Sequence, residues 1–112
     1  SLALVRNGLV NLSILHTSAS LLIQENADPA VTVDIQNFFC DLVPHGFQYT
    51  HKSEGDDDMP AHIRTALTNT NLAISIQNFE LLLGVWQGLY VFEHRDSVQE
   101  RTVFCHIIGD LR

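Results

Sequence analysis

The segment Val85–Arg95 (VWQGLYVFEHR) constrains the fold more than any other part of the sequence. Its residues alternate as in a strand, so that Leu89 and Val91 share one face while Tyr90 and Phe92 share the other. A strand with two apolar faces is typical of a sheet that is covered on both sides. We therefore expect one face to meet the core and the other to meet a helix or another subunit.

Shorter alternating segments predict the remaining strands. In residues 9–16, Val10, Leu12 and Ile14 fall on one face, which indicates a half-buried strand. Four further strands are predicted over residues 20–24, 72–76, 80–83 and 102–108. With two helices after the second strand, the order β-β-α-α-β-β-β-β predicts an α+β domain whose helices pack on an antiparallel or mixed sheet.

The first helix is predicted to begin at Asp28-Pro29. Asp28 can cap free backbone N–H groups, and Pro29 suits the first helical position, where a missing N–H is no loss. Pro44 ends the helix. The residues that form its predicted apolar face are Val31, Ile35, Phe38, Phe39 and Leu42.

The second helix is predicted to begin around Pro60, with Asp58 and Met59 as its cap region. Its expected apolar side consists of Ile63, Ala66 and Leu67.

Composition limits the possible classes of protein. A chain of 112 residues suits one domain, and 46% apolar with 17% charged residues is an ordinary globular balance. A net charge of −7 and no basic cluster argue against a nucleic-acid partner, and no apolar run is long enough to cross a membrane. We expect Cys40 and Cys105 to be free, buried thiols and the compartment to be the cytoplasm.

The segment HKSEGDDDMPAHI, residues 51–63, concentrates acidic side chains between two histidines. Carboxylates bind hard cations, imidazoles add affinity for zinc, and Gly55 allows a turn that other residues disfavour. The candidate metal ligands are His51, Glu54, Asp56, Asp57 and His62. The alternative is a solvated turn in which Asp57 or Asp58 caps the second helix.

A second set of polar residues could contact phosphate. Arg95 has a planar guanidinium that matches phosphate geometry, and hydroxyls at a strand end suit phosphate oxygens. The candidates are His16, Thr17, Ser18, Ser20, Gln87, Glu93 and Arg95. The alternatives are a hydrogen-bonded core role for His16, turn-making hydroxyls, and a Glu93–Arg95 ion pair within the chain or a salt bridge between subunits.

Several of these motifs resemble one family. His16-Thr-Ser-Ala-Ser20, the run from Glu54 to Ile63, and Leu83-Gly-Val-Trp-Gln-Gly88 with Glu93 and Arg95 are similar to the YjbQ family, over about Gly8 to Gly109. The resemblance implies one YjbQ-like domain over residues 1–112, without one or more N-terminal strands usual in the family, and a homotrimer with sites at subunit boundaries. The chain departs from the family pattern at Phe79-Glu80 and Val85.

The resemblance also implies a weak thiamine-phosphate synthase activity. A pyrimidine pyrophosphate would join a thiazole phosphate and release pyrophosphate, with a divalent cation (Mg²⁺ or Zn²⁺) at the acidic turn. His16, Arg95 and Glu93 would be the catalytic residues, with Glu93 orienting Arg95. The alternative is a non-catalytic trimer that binds a metal ion or a small phosphorylated metabolite, and a further alternative gives the acidic turn no ligand.

Overall fold

A computed structural model describes residues 4–111. The elements follow the predicted order, with strands β1 Asn7–Ile14, β2 Ala19–Glu25, β3 Asn71–Gln77, β4 Glu80–Leu81, β5 Gln87–Glu93 and β6 Val103–Asp110, and helices α1 Pro29–Leu42 and α2 Asp58–Leu67. The predicted strands at residues 80–83 and 85–95 are therefore shorter in the structure. No helix among residues 4–111 is long and apolar enough to cross a membrane.

The strands form two antiparallel sheets. The larger has the order β4-β3-β1-β6, and the smaller pairs β2 with β5. The predicted face of β1 is confirmed, because Val10, Leu12 and Ile14 are all buried. They pack with Ile74 and Ile76 of β3 and with residues of β2 to form the core. The α+β class is thus confirmed, and all described strand pairs are antiparallel.

Helix α1 begins as predicted. Pro29 is its first residue, and the Asp28 carboxylate accepts a hydrogen bond from the Ala30 N–H at 2.9 Å. The predicted apolar face is only partly covered within this chain, because Val31, Ile35 and Phe39 are half-buried whereas Phe38 is 61% exposed. Phe39 makes an edge-on contact with Phe92 of β5, with ring centroids 5.5 Å apart.

Helix α2 begins two residues earlier than predicted, at Asp58. Pro60 lies in its first turn, where a missing N–H breaks no helical hydrogen bond. The predicted apolar side is wrong, since Ala66 and Leu67 are exposed. Its buried residues are Asp58, Pro60, Ala61, Arg64 and Thr65, so the face turned inward is largely polar.

Strand β5 is covered on one face only within this chain. Phe92 is buried, whereas Leu89 and Val91 are 41% and 49% exposed. The cysteines are free as predicted, but the expectation that they are buried is wrong, because both are exposed. The chain is also elongated, with a radius of gyration of 16.4 Å, against about 13 Å for a compact domain of this length.

Candidate metal centre and adjoining groove

Three side chains from the acidic turn and α2 converge on one point. His51 precedes the helix, Asp58 is its first residue, and His62 follows one turn later. The i,i+4 spacing places Asp58 and His62 on the same side of the helix. Gly55, with φ +113°, adopts the backbone conformation expected for a glycine in the turn that brings His51 back.

The ligand atoms of these three residues all lie within 4.8 Å of one another. Asp58 Oδ2 is 2.6 Å from His51 Nε2 and 3.3 Å from His62 Nε2. The side chain of Asp58 is only 4% exposed, while those of His51 and His62 are 41% and 30% exposed. The cluster therefore has a buried carboxylate at its base and remains open to solvent at the imidazoles.

A backbone carbonyl determines which nitrogen of His62 faces the cluster. His62 Nδ1 lies 2.8 Å from the Thr17 carbonyl oxygen, and a carbonyl can only accept, so Nδ1 carries a proton. In the neutral imidazole, Nε2 then presents its lone pair 3.3 Å from a carboxylate oxygen. Two lone pairs at that distance repel unless a proton or a metal ion lies between them. A carbonyl behind a histidine is also the usual arrangement behind a metal ligand.

Arg95 stabilises the charge of Asp58 from the opposite side. Its Nη1 lies 3.0 Å from Asp58 Oδ1, which leaves Oδ2 for the histidines. Burial by itself raises the pKa of Asp58, but the hydrogen bond from His51 and the charges of His62 and Arg95 outweigh it and lower the pKa. Asp58 is thus a carboxylate at neutral pH.

Asp57 has a different role from either one predicted for it. Its Oδ2 accepts hydrogen bonds from Arg95 Nε and from the Asp96 N–H, both at 2.9 Å. The hydrogen bond from Arg95 is the main cause that lowers the pKa of Asp57. Although Asp57 occupies the N-cap position of α2, its side chain makes no capping hydrogen bond, so the predicted cap is wrong.

The other two predicted ligands lie outside the three-residue cluster. Glu54 Oε2 is 3.4 Å from His51 Nε2, close enough to approach an occupant from the solvent side. Asp56 is exposed, and its carbonyl accepts a hydrogen bond from Gly46. Asp58, which was predicted only as a helix cap, lies in the cluster where Glu54 and Asp56 were expected. Its i,i+4 spacing from His62 was the signal available in the sequence.

A groove of about 530 Å³ adjoins the cluster and shares His62 with it. Its wall includes the predicted residues His16 and Thr17. Thr65 also lines it, and the Thr65 hydroxyl is buried with no hydrogen-bond partner among residues 4–111. The groove is therefore rich in hydroxyl and imidazole groups beside the cluster.

The remaining predicted phosphate residues are dispersed. Ser20 is fully buried and bonds to His94 Nε2 at 2.9 Å, and Ser18 offers its carbonyl to Arg101. Gln87 lies at the end of β5 opposite Glu93, which separates them by about 20 Å. His16 Nε2 accepts the Thr102 N–H at 2.7 Å, although the ring still lines the groove.

The predicted orientation of the Arg95 side chain by Glu93 is wrong. Glu93 binds the side chain of Arg101, whose Nε donates to Oε1 at 2.7 Å. From Arg95, Glu93 accepts a hydrogen bond from the backbone N–H and none from the side chain. Burial raises the pKa of Glu93, but the hydrogen bond from Arg101 and others lower it overall. Arg101 had no signal in the sequence, because it lies in an irregular segment distant from the other candidates.

The fold and cluster define a small α+β protein with a histidine–carboxylate centre at the start of a helix. Comparison with known proteins then gives its family. The family described as "UPF0047 protein YjbQ-like" matches residues 2–110, and the chain belongs to this YjbQ family.

Similar proteins come from distant organisms. A UPF0047 protein of Synechocystis is 52% identical over 96% of this chain and 74% of its own length. The UPF0047 protein YjbQ of Salmonella typhimurium is 40% identical over 95% of this chain and 77% of its own. The crystal structure of an uncharacterised YjbQ/UPF0047 protein from Clostridium acetobutylicum matches with a TM-score of 0.84 and 38% identity, covering 93% of this chain and 78% of that one.

Proposed function

We propose that His51, Asp58 and His62 bind one divalent cation. The observation that carries the proposal is the convergence of the three ligand atoms within 4.8 Å, with His62 Nε2 turned toward Asp58 Oδ2 at 3.3 Å by the Thr17 carbonyl. Two imidazoles and one carboxylate suit zinc or a similar transition ion better than magnesium, which prefers oxygen ligands. Three protein ligands would leave a coordination position for water or substrate, as in catalytic zinc sites.

We propose further that the groove beside His62 binds a small phosphorylated metabolite. Its threonine hydroxyls can donate to phosphate oxygens, and His16 adds an imidazole. The chain carries a net charge of −7, which repels such a ligand unless a cation neutralises it locally. We therefore expect the groove to bind a phosphorylated ligand only when the cluster holds a metal ion.

The narrower form of the proposal is the thiamine-phosphate synthase-like transfer. A metal ion in the cluster would stabilise charge on the departing pyrophosphate. Groove hydroxyls and His16 would orient the phosphate, and Arg95 would position Asp58 instead of contacting substrate. The alternative is a non-catalytic protein that binds the metal ion or the metabolite without converting it.

The homotrimer remains part of the proposal. Phe38 and Leu42 of α1 are 61% and 55% exposed, and Phe104 and Ile108 of β6 are 57% and 65% exposed. Apolar surface of this extent on several elements is typical of a subunit interface. We propose that copies of the chain cover it, and that the protein works in the cytoplasm, where two exposed free cysteines remain reduced.

The first test is elemental analysis of untagged protein with its native mass. We expect near-stoichiometric zinc or another divalent ion in the wild type, and loss of that metal in Asp58→Asn and His62→Gln. Asp56→Asn is the matched control, because it removes an exposed neighbouring carboxylate that lies outside the cluster.

Wild-type protein that stays empty after incubation with zinc, manganese and magnesium would contradict the metal site. Equal metal loss in Asp56→Asn would contradict the assignment of its ligands. If metal binds, an assay of synthase turnover with and without it distinguishes the transferase from the binding protein.

A further inference from the structure

A second cavity lies on the other side of α2 from the metal cluster. Its volume is about 330 Å³, and it is enclosed by the C-terminal half of α1, by α2 and by the end of β5. Arg64 lines it and comes two residues after His62. Two residues are about 200° around a helix, so Arg64 and His62 point to opposite sides. The cavity is thus separate from the groove beside His62.

Arg64 is a buried cation. Its relative exposure is 5%, and its Nη2 donates to the Val43 carbonyl at 2.7 Å. Nε is buried without a hydrogen-bond partner, and the guanidinium forms no ion pair with any of residues 4–111. Buried charges in proteins are normally paired, because an uncompensated one is strongly destabilising.

The other charged groups around this cavity already have partners. Glu93 pairs with Arg101, and Arg95 pairs with Asp57 and Asp58. Asp96 lies 3.0 Å from His45, which is a cation only when protonated, but the side chain of Asp96 is 66% exposed and remains solvated. Arg64 is therefore the buried charged group of this cavity that lacks a counter-ion within the described part of the chain.

His94 forms part of the wall and supports the same conclusion. Burial and the nearby charge of Arg64 lower the pKa of His94 to about 4, so the ring is neutral at pH 7. Its Nε2 is held by the Ser20 hydroxyl at 2.9 Å. A neutral imidazole neither balances the charge of Arg64 nor repels an incoming anion.

We infer that this cavity binds a small oxyanion, the phosphate or carboxylate group of a metabolite, with Arg64 as its counter-ion. Guanidinium groups pair with both kinds of oxyanion through fixed, parallel N–H groups. A volume of about 330 Å³ lies at the small end of ligand pockets, which suits a compact anion. The inference does not depend on the metal site, since Arg64 and the metal ligands lie on opposite sides of α2.

The test is anion binding by the full chain after treatment with EDTA, which removes any metal, followed by dialysis that removes the EDTA, because its own carboxylates would compete for the cavity. Inorganic phosphate and citrate are titrated by calorimetry, with the thermal midpoint recorded in parallel and sodium chloride at equal ionic strength as the salt control. We expect saturable binding of at least one anion and a rise in the midpoint by mass action. Which anion binds distinguishes a phosphate from a carboxylate ligand.

Two variants act on the cavity in different ways. Arg64→Gln removes the charge and should weaken binding by about tenfold to a hundredfold. Cys40→Trp fills the mouth of the cavity from an exposed position, leaves Arg64 in place, and should abolish binding. The second variant decides the question if the first does not fold.

Two controls should retain binding. Val98→Trp introduces the same bulky ring at a residue that is 99% exposed. Asp56→Asn removes an exposed carboxylate that does not line the cavity. Wild-type protein that binds neither anion, or Cys40→Trp protein that binds as tightly as the wild type, would overturn the inference.

Discussion

The two helices differ in a way that their sequences do not suggest. Helix α1 has a regular apolar stripe, yet none of its residues is buried in the single chain. Helix α2 buries five residues, and three of them, Asp58, Arg64 and Thr65, are polar or charged. Within this chain, the apolar stripe of α1 is therefore left without a buried residue, whereas polar and charged residues of α2 are buried.

This difference separates two tasks. Part of the apolar side of α1, with Phe38 and Leu42, is left exposed by the described residues of this chain. The inward side of α2 holds a carboxylate, a guanidinium and a hydroxyl, and such groups are expensive to bury unless they bind something. Under the proposed function, α1 would serve assembly and α2 would serve ligand binding, and the following changes test that division.

The largest effect is expected from Arg95→Met. It leaves Asp57 and Asp58 buried without their shared cation, and breaking a buried pair in this way costs about 3–5 kcal/mol. The measurement is urea unfolding at fixed protein concentration, in EDTA so that metal binding does not contribute. Asp41→Asn, an exposed acidic residue of α1, is the control and should change the unfolding free energy by less than about 0.5 kcal/mol.

A loss below about 1 kcal/mol in Arg95→Met would show that the polar side of α2 is solvated like a surface ion pair. The contrast between the helices would then have no energetic basis.

The next effect is a pH dependence that originates at His94. The folded pKa is about 4 and the unfolded value is 6.5, so on acidification the unfolded state binds the proton first. Stability is therefore full above pH 6.5 and falls by up to about 3 kcal/mol as the pH drops from 6.5 to 4. The carboxylates with lowered pKa values, Asp57 and Asp58, add their losses only below about 3.8.

The check is urea unfolding between pH 7.5 and 4 for the wild type and for His94→Gln, which can still bond to Ser20. We expect the variant to lose much less stability over this interval. Parallel curves for the two proteins would mean that His94 does not remain neutral when buried.

Most of the fold could be predicted because its signals are local. The β1 face depends on alternation within one segment, and the start of α1 depends on Asp28 and Pro29 alone. The inward side of α2 could not be predicted in this way, because the partners that bury it come from distant segments. Arg95 reaches Asp57 and Asp58 from two residues beyond the end of β5, and Thr17 orients His62 from the β1–β2 connection.

The dependence on distant partners also explains which residues of the candidate site could be predicted. His51 and His62 were predicted from their local sequence, and both belong to the cluster. Asp58 was assigned to the helix cap, since adjacent acidic residues before a helix look equivalent until Arg95 distinguishes them. Arg64 received no prediction, because a single basic residue on a helix is usually solvated.

The effect of Phe38→Ser tests α1 as an assembly surface. Removing a central aromatic side chain from an interface typically weakens association by about 2 kcal/mol or more, whereas an exposed residue of a monomer can be replaced almost without loss. Sedimentation over a range of protein concentrations should show the trimer dissociating at higher concentration in the variant than in the wild type. Thr32→Ser, on the same helix, is the control.

A wild-type protein that sediments as a monomer would exclude the assembly role of α1. A Phe38→Ser trimer as stable as the wild type would instead place the interface on other apolar surface, such as β6.

The smallest effect is expected at the start of α1, where Asp28 accepts the Ala30 N–H. Asp28→Ala should lower the unfolding free energy by about 1 kcal/mol, and Asp28→Ser by only a few tenths, because serine caps a helix equally well. Urea unfolding of both variants measures the difference. Rescue by serine would establish that Asp28 acts as a cap through one hydrogen bond. Asp57, at the same position of α2, bonds to Arg95 instead, so a capping residue in its place would not restore that contact. Equal losses in the two Asp28 variants would mean that the charge of Asp28 matters more than its capping hydrogen bond. The charge of the N-cap carboxylate would then matter at the start of both helices, although the two carboxylates have different partners.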